Sequence, residues 1–162
     1  MADDFFDVKH AVLLEEWKSC GGHIGRLDGI IFTIRGWAIT TTTAAIAYAY
    51  TKLDPSVCML VLLPLLLLWV IDAMFKTFQR VFIVRSKEIE QYLASDQFKL
   101  DFDARNPSFV APVLSGRFGQ GSFGERLGEV FAQAFLRNVV ATYVPLVIFS
   151  IISYGLIAIR MG

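Results

Sequence analysis

The amino-acid sequence predicts an all-α integral membrane protein: a helical bundle with a two-span hairpin, a third C-terminal span and cytoplasmic amphipathic helices. Three observations carry this. Hydrophobic residues make up 55% of the 162-residue chain, above the ~45–50% of a soluble domain. Apolar runs at about 29–50, 56–75 and 138–162 each reach the ~20 residues a helix needs to cross ~30 Å of hydrocarbon. The segments between them carry amphipathic patterns instead of further apolar runs.

In chain order, residues 1–26 predict a short cytoplasmic amphipathic helix. Phe6, His10, Leu13 and Trp17 recur at helical spacing, with Lys9, Glu16 and Lys18 elsewhere around the wheel. The "GGHIG" run at 21–25 is expected to end it, because paired glycines interrupt helices. The acidic start, with Asp3, Asp4 and Asp7, is unlike a secretory signal.

Residues 27–96 predict a transmembrane hairpin with spans 29–50 and 56–75, joined by the polar turn "TKLDPS". Pro64 inside the second span predicts a kink. Phe78, Phe82, Ile89 and Leu93 continue a helical stripe beyond the second span, to about Ala94. Residues 97–137 predict a cytoplasmic loop and an amphipathic helix. The loop spans 95–121, and Ser122 with Glu125 forms a capping box at the start of the helix bearing the apolar stripe Phe123, Leu127, Val130, Phe131, Ala134, Phe135. That helix suits either a membrane surface or a partner. Residues 138–162 predict the third span, ended by Arg160.

Loop charge predicts orientation. The hairpin turn offers Lys52 alone, whereas nine basic residues lie between Lys76 and Arg137, and Lys9, Lys18 and Arg26 lie near the start. The N-terminus and middle segment are therefore expected in the cytoplasm and the C-terminus outside, as in a multi-pass protein of a bacterial inner (plasma) membrane.

Two charges stand inside the spans. Arg35 near the start of the first and Asp72 near the end of the second fall at similar depth in an antiparallel hairpin. An intramembrane charge is costly unless paired, hydrated or snorkelling. The two are expected to form a charge pair or gate, or else to act as an orientation lock. Thr40 to Thr43 point around most of the helix and can bond back to their own carbonyls. Gly36, Thr40 and Ala44 share one face, and Thr41, Ala45 and Ala49 another. These small-residue spacings predict close helix packing or pore lining, and with it a homo-oligomer. Lys76, Arg80 and Arg85 form a membrane-proximal basic cluster expected to attract anionic lipid.

Fifteen basic residues balance fifteen acidic ones, so composition argues against nucleic-acid binding. Cys20 and Cys58 lack metal-ligand spacing, and His10 and His23 join no catalytic motif. "GRFGQGSFG" matches a phosphate-binding loop only loosely and reads as a linker. No enzyme activity, metal or cofactor is expected.

"IRGWAIT" in the first span and "LLWVIDAMFKTFQRVF" at the end of the second resemble a family pattern. It is that of small bacterial membrane proteins associated with antiphage defence, and of SLATT-type membrane effectors. Arg35, Gly36, Trp37, Thr40, Trp69, Asp72, Arg80 and Phe82 carry the resemblance, which covers roughly residues 8–95. The third span is an addition to that two-span pattern. The resemblance implies a non-enzymatic effector that oligomerises and perturbs the membrane when a cytosolic sensor, effector protein or nucleotide signal arrives. An anchor or regulatory subunit, or a small transporter, are the other functions the chain could serve.

Overall fold

The computed structural model describes residues 2–113 and 122–161. Among these the protein is all-helical: α1 (Ala2–Lys52), α2 (Ser56–Leu60), α3 (Leu62–Leu93), α4 (Asp96–Ala104), α5 (Phe123–Ala134) and α6 (Arg137–Met161). Three helices, α1, α2 continued by α3, and α6, are long and apolar enough to cross a membrane. By its contacts the chain divides into two compact units, Met1–Asp28 with Phe78–Ser122, and Gly29–Thr77 with Phe123–Gly162. The glycine-rich stretch 114–121, expected as linker, lies outside the described residues.

Two sequence expectations fail in the first unit. The helix does not end at the glycines; α1 continues through Gly21, Gly22 and Gly25. Each glycine costs ~1 kcal/mol relative to alanine, and packing on both sides of the run outweighs this. Cys20 is fully buried, His23 stacks on Phe82 at 4.7 Å, and the Gln79 amide donates to the Ile24 carbonyl and to Asp28 Oδ1. Second, part of the expected loop is the helix α4. Ser95 caps it by accepting from the Phe98 amide, and Arg105 closes it in the left-handed region at φ 51°. Its Phe98 and Phe102 pack on His10 and Phe6, a tertiary signal that turn-rich composition hides.

The inward face of the first part of α1 also differs from the expected stripe. Phe6, Leu13, Glu16 and Cys20 are buried, while Trp17 is 40% exposed and donates its indole N–H to Glu90.

In the second unit, α1 packs through Ile31, Ile34, Ala38, Thr42, Ile46 and Ala49, one face at ~3.6 residues per turn. Ala38, Leu65, Val139 and Tyr143 form one apolar cluster; Ile46, Ala49, Cys58 and Ile157 form another. The kink expected at Pro64 is a one-residue interruption at Val61. Proline has no N–H for the Leu60 carbonyl and its ring crowds that group. Val61 nevertheless keeps helical angles and bonds to the Val57 carbonyl. The positions of Val139 and Ile157 in the two clusters make α6 antiparallel to α2 and α3.

Candidate functional site

Asp72 is the fully buried charge of the second unit. Arg35 Nε donates to Asp72 Oδ2 at 2.7 Å, and Arg35 Nη2 lies 3.4 Å from Oδ1. The Arg35 side chain stays 21% exposed, so the pair has one wet partner and one dry one. Sequence depth placed these two together; it did not find the third member. The Tyr143 hydroxyl, from α6, lies beside the Asp72 carboxylate and donates to the Leu68 carbonyl at 3.2 Å. Trp69 stacks on the Tyr143 ring at 5.6 Å and donates its indole N–H to the Ala134 carbonyl at the end of α5. One polar knot thus ties α1, α3, α5 and α6. The signal for Tyr143 was a phenol inside an apolar run, because a buried tyrosine hydroxyl usually finds a partner.

The residues expected to pack or line a path behave unequally. Ala49 is buried and Ala45 half-buried, but Thr40 and Thr41 are exposed. Thr42 is the inward-facing threonine. A Cβ built at Gly36 meets nothing within 4 Å, so Gly36 makes no close approach within the chain. Gly29, Thr33, Gly36, Thr40, Thr43 and Ala47 follow one another along the side of α1 opposite its packed face. Trp37, beside this stripe, is 62% exposed.

The residues of the expected basic cluster differ in exposure, with Lys76 half-buried. Arg80 is exposed, but Arg85 is buried at 3%. Its guanidinium grips Glu16 through Nε at 3.0 Å and Nη2 at 2.8 Å, reaches the Val110 carbonyl and stacks over Phe109 at 4.7 Å. Burial alone would lower the Arg85 pKa; the Glu16 and Glu88 carboxylates outweigh it and raise it. Glu16, read from the sequence only as lying off the apolar stripe, also accepts from the Val113 amide. Burial pushes the Cys20 thiol up, with Glu16 adding to the effect, which suits packing and not nucleophilic chemistry.

A second polar knot holds the end of α4. Asp101 accepts from the Ser108 hydroxyl and amide, the Tyr92 hydroxyl and the Gln97 amide. Those donors, Ser108 first, hold its carboxyl far below the usual carboxylate range. Tyr92 is pushed up to about 12 by burial and by Asp101. A hollow beside it, lined by Phe6, His10, Leu13, Tyr92 and Phe98, has room for about one water. Among the described residues no three His, Cys, Asp or Glu side chains gather as metal ligands would.

Compared with protein-family models, curated proteins and solved structures, the chain finds no match. The resemblance to SLATT-type effectors therefore rests on its quoted motif alone.

Proposed function

We propose that the protein is an oligomeric membrane effector, pore-forming or membrane-perturbing, in the plasma membrane of a bacterium. The stripe Gly29–Thr33–Gly36–Thr40–Thr43–Ala47 carries the reading. A line of small and hydroxyl-bearing residues, flanked by the exposed Phe32, Trp37, Ile39 and Tyr48, runs along the outward side of α1, where a helix facing only lipid would present large apolar ones throughout. Small residues let a second helix approach closely in a membrane. Each protomer's own interior is closed by its two apolar clusters, so a conducting path would run between copies, along these threonines. Loop charge supports a cytoplasmic N-terminus, where a partner protein or nucleotide would supply the trigger. The motif resemblance adds antiphage defence as the setting.

The test uses single cysteines at Gly36, Thr40 or Ala47 in a chain whose Cys20 and Cys58 are replaced by alanine. Cross-linked oligomers should form in native membranes from these sites and not from the buried Ile34. Gly36→Leu should abolish them together with loss of membrane potential on expression. Monomers throughout would defeat the reading.

A second reading, a membrane anchor for a partner, is favoured by Phe5, Val8 and Val12, exposed along one side of α1. Co-purification of a partner that depends on Val8, with membrane potential unchanged, would select it.

A further inference from the structure

The two apolar clusters of the second unit leave a layer between them. On α1, Thr42 lies about one turn from Ala38 of the first cluster and one from Ile46 of the second. On α6, Ser150 and Ser153 lie between Tyr143 and Ile157 in the same sense. On the α2–α3 side the layer contains Val61, where the helix is interrupted. Thr42, Ser150 and Ser153 are each at most 1% exposed.

Hydroxyls on buried helices usually bond back to the carbonyl four residues earlier. This chain does so repeatedly: Thr33 to Gly29, Thr77 to Ala73, Thr142 to Asn138 and Ser150 to Leu146. Thr42 and Ser153 do not. Among the described residues, Thr42 Oγ1 and Ser153 Oγ are the buried side-chain polar atoms without a hydrogen-bond partner. Each has an intrahelical carbonyl within its repertoire and leaves it unused. Such groups are normally satisfied, by protein or by ordered water.

We propose that Thr42 and Ser153 hold a buried water between α1 and α6. A buried water needs two to four polar partners. The two free hydroxyls supply two, and the remaining lone pair of Ser150 Oγ supplies a third. The ligand is water and not a cation, because the layer has no carboxylate, and Asp72, at the far side of the first cluster, is already paired with Arg35. The water bridges helices at a level where apolar packing gives no directional contact. It is a property of the single protomer and does not depend on oligomerisation.

The experiment uses the full chain in lipid bilayers. Solid-state NMR with magnetisation transferred from water should light up the Thr42 side chain while Ile46 and Ile157 stay dark; a Thr42 signal as dry as that of Ile46 overturns the proposal. Thr42→Val and Ser153→Ala should each lower the melting temperature by ~2–4 °C, the shift expected for about one lost hydrogen bond. The double variant should lose less than the sum, because both changes empty one shared site. A rise in either single variant would mean that a hydroxyl without any partner had been removed, and would overturn the proposal, as would strict additivity. Exchange of sodium for choline should leave the melting temperature unchanged; a sodium-dependent rise would replace the water by an ion.

Discussion

Trp69 and Tyr143 lie ring on ring, with centroids 5.6 Å apart and planes 2° from parallel. The contact holds α6 against α3 at the level of Asp72, and the hydroxyl beyond it fixes the rotation of α6. Tyr143→Phe keeps the stack and removes the donor to the Leu68 carbonyl. It should cost ~0.5–1.5 kcal/mol, the net worth of one hydrogen bond, because the Leu68 carbonyl keeps its partner in the next helical turn. Tyr143→Ala, which also empties the cluster around Leu65, should cost ~3–5 kcal/mol. Denaturant titration in detergent micelles, followed by Trp69 fluorescence in a chain with Trp17 and Trp37 replaced by phenylalanine, measures both.

Removing one partner of the Arg35–Asp72 pair strands the other. Asp72→Ala or Arg35→Ala should each destabilise by ~3–5 kcal/mol. The double alanine variant should recover part of that loss, measured as protein accumulated in membranes and as folded fraction. Strictly additive losses would mean that the pair is not a coupled unit. Arg35→Lys keeps the charge but loses the fork that meets both carboxylate oxygens, so it should fall between wild type and Arg35→Ala.

Glu16→Gln should loosen the 107–113 segment. Glu16 accepts from the Val113 amide and orients Arg85, which in turn holds the Val110 carbonyl. Hydrogen exchange at the Val113 amide should rise by roughly 10-fold or more, as expected for ~1.4 kcal/mol or more of lost protection. Unchanged exchange there would show that Glu16 does not pin the segment.

Asp101 and Tyr92 set opposite pH limits on the first unit. Asp101 has its pKa lowered on folding, so its contribution is present above its unfolded pKa of ~4 and is lost as pH falls below that value. Asp101→Asn should flatten the acid side of the stability profile. Tyr92 is raised to about 12, so its contribution is intact below its unfolded value of ~10 and disappears as pH rises through about 12. Ultraviolet titration of phenolate should lose its transition near 12 in Tyr92→Phe; an unchanged curve would refute the assignment.

The apolar runs and the hairpin were legible because span length is a one-dimensional property, and Arg35 and Asp72 because a charge in an apolar run stands out. Continuity of α1 was hidden because propensity weighs Gly21 and Gly22 alone, while the helix is held by Cys20, His23 and Gln79 in three dimensions. The burial of Glu16 was hidden because its partner, Arg85, lies 69 positions away. The same long-range pairing hid α4, whose aromatic side chains find their partners near the start of α1.

The separation of Tyr143 from Asp72 along the chain orders the protein's birth. On the membrane reading, a first span inserted alone carries Arg35 unpaired near its inner end, at a cost below the ~2.5–3.5 kcal/mol of the bilayer centre. The short turn after Lys52 lets the second span bring Asp72 to it as soon as it emerges, so the hairpin is suited to enter the bilayer as one piece. Tyr143 follows roughly 70 residues later, on the order of 10 s at ~5–20 residues per second of synthesis. Through that interval a hairpin with its ion pair made, but α6 still missing, is the species that quality-control proteases would meet.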